Sequence, residues 1–348
     1  MTESQLFQTQ SQASGQPAPE DKVFGHRYRG RYHLPLLPGE SGTKSCPVGV
    51  EPWVPYGVQS TTEMVSAFAE SRGLNIWEQE QMLYGLYRSP SLAEEMTMLF
   101  QQWERDGVNF AEIGDYPHVR AALTGGSNRE ATETSIAGRA KQAAGANEAR
   151  EKGNTRHQAW EHFTKTGELI GTPEMQRQIG AVAELLRVHH LELIPELSER
   201  VIRNTAVSAA GRFDNILLDQ DTGRLLMADL KTKRKAHWTW MEVDGQLATY
   251  ARADWMLETL RRTDDTIEAR YTTGPMHHVD QAEGVVLCMP SNGDPAYLRR
   301  ADLEYGWRVA LKAREIIEMR AYGKSAARMA DMHWPMPVSE MFKIPATQ

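Results

Sequence analysis

Three residues carry the most chemical information in this chain: Asp214, Asp229 and Lys231. They form the pattern D-x14-D-x-K, with Gly211 three residues before the first aspartate. On a β-strand, side chains alternate between faces, so Asp229 and Lys231 stand side by side with Met227, while Leu226, Ala228 and Leu230 face the other way. Two carboxylates held close together resist joint ionisation. A hard divalent cation relieves that repulsion and takes oxygen ligands. In such a site the cation polarises a phosphate and acidifies a bound water. Lys231 would orient that water or neutralise charge developing on the phosphate. The chemistry that suits the set is therefore phosphodiester hydrolysis, with Glu199, one strand earlier, as a third carboxylate. Alone, D-x-K is common and marks a solvated strand face with a weak ion pair. The flanking residues carry the argument further.

Positioning these groups requires a sheet. The spacing predicts three short strands in a meander: one beginning near Glu199, a second over Arg212–Asp219 and a third over Arg224–Lys231. Asp221-Thr222-Gly223 supplies the tight turn between the last two. A buried strand is predicted at Gly284–Pro290, paired with Ala296–Arg300, and a closing helix over Leu303–Tyr322. Upstream, apolar periodicity predicts helices beginning near Glu63 with a Thr61 or Thr62 cap, around Trp77–Tyr87, around Leu92–Trp103, over Glu148–Glu168 and over Gln176–Leu186. Trp240–Arg262 reads as one long helix. Thr124–Gly145 has little apolar periodicity and reads as a loop, or a helix that orders only with a ligand. No internal repeat is present.

Two helices flank the D-x-K strand with further polar groups. His157 and Glu161 stand four residues apart on the helix before the strands, and Gln246 and Tyr250 stand four apart on the helix after them. Each pair shares a helix face. The ordered set His157, Glu199, Gly211-x-x-Asp214, Asp229-Leu230-Lys231-Thr232, Gln246-x-x-x-Tyr250 resembles the RecB-like branch of the PD-(D/E)xK nuclease superfamily, above all its bacteriophage exonucleases. The resemblance covers about residues 150–320, and its motifs are specific only in combination. Thr61–Trp77 resembles the upstream helical region of those proteins more weakly.

The resemblance implies His157, Asp214 and Asp229 as ligands of one or two Mg²⁺ or Mn²⁺ ions, with the backbone carbonyl of Leu230 as a further contact. It implies Lys231 as the catalytic lysine and Gln246 and Tyr250 as accessory residues; Glu199 matches by position rather than by a tight motif. The family's usual Gly-Thr before the histidine is Gly153-Asn154 here, with Thr155 one place late. Several relatives hold an iron–sulfur cluster on four cysteines. This chain has two, Cys46 and Cys288, so no such cluster is expected, nor a disulfide framework.

Composition narrows the field. In 348 residues, 39 Lys and Arg stand against 46 Asp and Glu, a net charge of −7, which excludes a broadly basic nucleic-acid coat but not a local basic groove. Lys233, Arg234 and Lys235 directly follow Lys231, and DNA-backbone contact is the expected use of that cluster. Trp238 and Trp240 come next, and aromatics at a helix start are more often core than base-stacking platforms. Gly125–Arg156 carries six Lys and Arg against four Glu and reads as a lid over a DNA channel or an ordinary surface loop. His189-His190 and His277-His278 lack companion ligands at metal spacing. No P-loop, HExxH or GxGxxG motif stands out. No apolar run suits a membrane span or secretory signal, so a soluble protein of the cytoplasm (host cytoplasm if phage-encoded) is expected.

The expected architecture is α/β: a PD-(D/E)xK restriction-endonuclease-like core with a small mixed central sheet flanked by helices. Its expected parts are a tail at 1–22, a helical region at 23–147, the core at 148–325 and an extension at 326–348. The expected activity is metal-dependent hydrolysis of DNA, most simply from an end, with DNA ends or single strands as partner and a single-strand annealing or recombination protein as a further one. Two alternatives share the sequence features: a DNA-end-binding or recombination-partner protein on the same fold, and an endonuclease or junction-cleaving enzyme. Oligomeric state is not legible.

Overall fold

The computed structural model describes residues 27–28, 31–32, 34, 36–37, 58–68, 71–125, 133–232, 240–259, 269–273 and 278–332. In chain order, β1 (Arg27–Tyr28), β2 (Arg31–Tyr32), β3 (Val58–Ser60) and α1 (Thr61–Val65) precede a run of helices. These are α2 (Ser71–Arg88), α3 (Pro90–Arg105), α4 (Pro117–Thr124), α5 (Ile136–Ala143), α6 (Ala146–Thr166) and α7 (Pro173–Val188). Then come β4 (Leu191–Leu193), β5 (Val201–Asn204), β6 (Ala209–Arg212), β7 (Asn215–Asp219) and β8 (Leu225–Lys231). The chain continues through α8 (Trp240–Ala251), β9 (Trp255–Thr259), β10 (Ala269–Thr273), β11 (Val279–Cys288), β12 (Tyr297–Asp302) and α9 (Leu303–Met332). The protein is mixed α/β. By contacts it divides into a helical unit, residues 70–158, and a sheet unit, residues 1–69 with 159–348.

In the helical unit, Leu92, Ile136 and Ala140 form a small core joined by Leu86, Met96 and Leu99. Here α2 crosses α5 at Gly85, where any Cβ would run into the backbone of Ala140. Arg139 donates two hydrogen bonds to the Glu95 carboxylate, at 2.9 and 2.6 Å. The segment predicted as a loop or ligand-ordered helix thus contains α5. Ser135 caps it by accepting from the Gly138 N–H at 3.1 Å. Ile136 and Ala140, four apart, supply its buried stripe. With one large apolar residue among three alanines, a glycine and three polar residues, its periodicity is too faint to read from sequence.

The sheet unit contains two sheets. One has the order β1-β2-β3-β6-β5-β9-β10; the other has the order β12-β11-β8-β7-β4. In the second, β8 is central, antiparallel to β7 and parallel to β11. Its sequence LLMADLK is buried along almost its whole length, as a strand covered on both faces must be. Met227 packs into a core with Ile202, Phe213, Ile216, Leu247 and Tyr250, on the α8 side. Leu226, Ala228 and Leu230 pack into a second core with Trp160, Met175, Ile179 and Val182, on the α6 and α7 side. The predicted alternation of side chains along β8 is what divides these two cores.

Three expectations are corrected. The strand predicted over Arg212–Asp219 breaks at Phe213-Asp214, and its halves, β6 and β7, belong to different sheets. The single meander is therefore two antiparallel pairs joined at a corner: β5 with β6, and β7 with β8. The helix predicted over Trp240–Arg262 ends at Ala251 and gives way to β9. Asn204 stops it, donating from Nδ2 to the carbonyls of Thr249 and Arg252, both at 3.0 Å. Asp254 then accepts from the Thr205 N–H at 2.8 Å, turning the chain into β9 beside β5. Finally, α1 is capped by Ser60 rather than by Thr61 or Thr62. Thr61 is buried and donates to the Ala210 carbonyl at 3.0 Å, so it fastens α1 to β6 within the sheet unit and not to the helical region.

Among the described residues, no helix is long and apolar enough to cross a membrane. His190 contacts Asp221, with Nδ1 2.8 Å from Oδ1, and His277 lies outside the described residues.

Gly211 has a packing reason. A Cβ there would point into the Tyr250 ring, 2.7 Å from its hydroxyl oxygen. Gly211→Ala should destabilise the protein by about 1–3 kcal/mol through overpacking. Urea denaturation measures it, and an unchanged midpoint would show that Tyr250 does not need the bare backbone.

Candidate active site

Asp229 lies on the central strand two residues before its end, beside the start of β7. Asn215 pairs with Ala228, so continuing that register by one residue sets Asp214 opposite Asp229. Asp214 lies at the corner between the two sheets, and its Oδ2 accepts from the Leu230 N–H at 2.7 Å. At Leu230 the contact is thus from the amide to a carboxylate, whereas the resemblance implies a role for its carbonyl. Asp229 itself is almost wholly buried.

Lys231 Nζ lies 2.6 Å from Asp229 Oδ2. This is an ion pair without a well-directed hydrogen bond, since Oδ2 is buried and has no donor in proper geometry. Burial works against the Lys231 charge, but the fields of Asp229 and Asp214 outweigh it and raise its pKa. Lys231 is accordingly held as an ammonium. It can donate and neutralise; it cannot act as a base in this state. Gln246 ties the helix to the strand: its Nε2 donates to Asp229 Oδ1 at 3.3 Å and to the Tyr250 hydroxyl at 3.0 Å, and its Oε1 accepts from Lys231 at 3.5 Å. The last is a long contact. Burial raises the Tyr250 pKa well above that of free tyrosine, so its phenol remains protonated. The predicted face of α8 does reach the D-x-K strand.

Glu199 sits just before β5 with φ of 56°, in the left-handed region that a glutamate rarely adopts. Such a conformation costs on the order of 1–3 kcal/mol and is kept where surroundings impose it. Here its N–H donates to the Asp214 carbonyl at 3.0 Å. Burial, the Asp214 charge and the Glu161 charge push its carboxyl up to about 8, with Arg212 and Lys165 pulling the other way. Arg212 Nε lies 2.8 Å from Glu199 Oε2, and Lys165 Nζ lies 2.5 Å from Glu161 Oε1. Glu161, Glu199, Asp214, Asp229 and Lys231 therefore belong to one electrostatic cluster.

A buried hydrogen-bond chain, not anticipated from the sequence, stands behind these carboxylates. Trp160 Nε1 donates to Asn215 Oδ1 at 2.7 Å, and Asn215 Nδ2 donates to Ser198 Oγ at 3.0 Å. Each member is the chain neighbour of an acidic residue: Trp160 of Glu161, Asn215 of Asp214, Ser198 of Glu199. The signal available in the sequence was an asparagine inside an apolar strand, Asn215-Ile216-Leu217-Leu218. Arg212 was likewise missed, because it reads as an ordinary surface cation until the fold pairs it with Glu199; Lys165 pairs with Glu161 four residues before it on α6, a spacing the sequence does show.

Of the other predicted site residues, His157 lies on α6 in the helical unit, four residues before Glu161. Lys233, Arg234, Lys235 and Trp238 fall outside the described residues. Trp240 packs with the core and beneath Arg299, whose guanidinium carbon is 4.2 Å from the ring centre. Among the described residues, no three His, Cys, Asp or Glu side chains converge closely enough to enclose an ion unaided. The carboxylates are turned to Lys231, Arg212, Lys165 and the Leu230 amide instead. Comparison with protein-family models matches none, and comparison with curated proteins finds no similar sequence.

The raised pKa of Glu199 has a stability consequence. The folded state binds this proton more tightly than the unfolded chain, whose glutamate titrates near 4.5. Its contribution is fully present below about 4.5 and is lost as pH rises through about 8. In EDTA, the melting temperature should therefore fall between pH 5 and pH 9 more steeply for wild type than for Glu199→Gln. Parallel pH profiles would show that Glu199 is not the group responsible.

Proposed function

We propose that this chain is a metal-dependent DNA nuclease of the RecB-like PD-(D/E)xK kind, acting most simply as an exonuclease. The observation that carries the reading is the pairing of Asp214 and Asp229 on adjoining strands, with Lys231 two residues on and Gln246 bridging from α8. That arrangement follows from the fold, and it contains four of the residues singled out by their order in the sequence.

The donor set fits a hard divalent cation. It is made of carboxylate oxygens, and Asp229 Oδ2 is buried with the Lys231 ammonium as its charge partner. Asp214 and Asp229 would hold the ion, with Glu199 beside them and His157 as the ligand that the resemblance adds. When bound, Mg²⁺ or Mn²⁺ supplies Lewis-acid polarisation of a phosphoryl oxygen and lowers the pKa of water.

The chain's own residues do the rest. Lys231, an ammonium beside Asp229, would donate to an attacking water or to a phosphate oxygen if Asp229 were engaged by the ion. Gln246 keeps Asp229 oriented through Oδ1 while Oδ2 is engaged. Tyr250 fixes Gln246 in turn and stays neutral as it does so. Burial of this layer keeps bulk water from screening the charges that develop on the phosphate.

Labelled linear DNA incubated with Mn²⁺ should be degraded by the wild type. Asp229→Ala should lower the rate by roughly 100-fold or more, the scale of a lost metal contribution to transition-state charge. Circular DNA should resist if the enzyme starts from ends. A wild type that binds DNA yet cleaves neither form with Mg²⁺ or Mn²⁺ would overturn the enzymatic reading in favour of a binding protein.

A further inference from the structure

The outer face of α2 is apolar where a surface helix is normally polar. On one side the helix packs at Gly85 against Ala140 of α5. At about 3.6 residues per turn, the stripe on the opposite side carries Ile76, Glu80, Leu83 and Tyr87, with Trp77 and Tyr84 along one flank. Thirteen large apolar side chains are exposed among the described residues, and five of them fall within these three turns. Tyr87 is 80% exposed and Leu83 is 70% exposed. The rings are ordered: Tyr84 and Tyr87 stack with centres 6.4 Å apart, and the Arg88 guanidinium carbon lies 5.9 Å from the centre of the Tyr84 ring. A preformed stripe of this kind marks an interaction surface, unlike apolar residues exposed singly.

Charge decides what covers it. The helical unit, residues 70–158, carries ten Lys and Arg against 13 Asp and Glu, a balance that disfavours a phosphate backbone. Two exposed charges border the stripe, Glu80 and Arg88, each four residues from Tyr84 and on opposite sides of it along the helix. Let two such helices pack antiparallel about a two-fold axis at Tyr84. A residue four places before the axis in one copy is then level with the residue four places after it in the other. Glu80 of each copy meets Arg88 of the other, and the apolar stripes face each other between the two pairs. The face is thus complementary to itself in charge and in apolar content, as an isologous contact requires. At their exposures the five apolar side chains offer roughly 500 Å² per copy. A pair would bury about 1,000 Å², the low end for a specific interface, which suits a reversible dimer with Kd on the order of micromolar.

We propose that α2 is a self-association surface through which two copies of this chain pair, antiparallel and two-fold symmetric about Tyr84, with Glu80 of each copy against Arg88 of the other. The inference is independent of the nuclease reading. Leu83, Tyr84 and Tyr87 supply the affinity by leaving water, and the two charge pairs set orientation and register rather than strength.

The test is analytical ultracentrifugation of the full chain across about 1–500 μM, a range that brackets such a Kd. Wild type should pass from monomer to dimer within it. Leu83→Glu sets a charge at the centre of the stripe and should raise Kd by about tenfold or more. Glu80→Arg and Arg88→Glu each oppose like charges and should each raise Kd by roughly threefold or more. An equimolar mixture of these two variants should pair as tightly as wild type, because each supplies the sign that the other lacks. Contact with an unrelated partner would give no such rescue. All four positions carry exposed side chains, and thermal melts check that the variants keep the fold; should Leu83→Glu melt lower, the mixture experiment decides alone. A chain that stays monomeric throughout, a dimer indifferent to Leu83→Glu, or a mixture that pairs no better than its components would overturn the proposal. So would loss of single-stranded DNA binding by Leu83→Glu with no change in mass, which would assign the stripe to base stacking.

Discussion

The acidic cluster depends on a neutral interaction behind it. Asn215 spends both ends of its amide on buried partners, Trp160 and Ser198, at a depth where an unpaired amide would cost a few kcal/mol. Those bonds fix three chain segments that share no regular pairing with one another: a helix, the loop before β5 and the first residue of β7. Each segment carries a carboxylate at the adjacent position. Mutually repelling groups cannot hold themselves together, so their spacing has to come from backbone fixed by something else. The Trp160–Asn215–Ser198 chain is that fixture. It explains how Glu199 can be kept in a left-handed conformation beside two other acids.

The corner at Phe213-Asp214 does the complementary work. Because β6 and β7 belong to different sheets, the residue between them is released from both ladders. Its carboxylate is then free to turn toward the Leu230 amide. Had the strand run straight, Asp214 would have stood on one face of one sheet at a distance set by pleat geometry. Phe213, fully buried, anchors the bend in the core shared with Met227 and Tyr250. Gly211 lets Tyr250 lie against β6, and through Tyr250 and Gln246 the helix α8 is tied to Asp229. A bare backbone position, a ring and an amide thus connect the two sheets at the site.

The sequence made the D-x-K strand, its alternation and the helix-face pair Gln246 and Tyr250 legible, because each follows from local geometry with period 2 or 3.6. It also showed β11 with β12, since the polar turn Ser291-Asn292-Gly293-Asp294 follows the apolar run of β11. It did not show that Arg212–Asp219 is two strands, because a change of sheet leaves no mark on apolar spacing. The end of α8 was hidden for a similar reason: the stop comes from Asn204, almost fifty positions away, and not from a local breaker. The Arg212–Glu199 pair and the Asn215 chain are properties of tertiary pairing alone. Local rules locate groups along an element; which elements meet is decided by contacts that those rules do not contain.

The parallel partnership of β8 has a consequence for how the chain is made. Its outer neighbour, β11, pairs Val286 with Asp229 and Cys288 with Lys231, and β9, β10 and α8 intervene in the chain. A ribosome that has delivered α8 has already delivered every carboxylate, the lysine and the glutamine. The strand bearing them still has one edge unpaired at that moment. That edge is apolar and β-prone, the kind of surface that recruits strands from other chains during synthesis. The site is thus chemically complete well before it is sheltered, and the interval until β11 emerges is when the newly made protein is most exposed to misassembly.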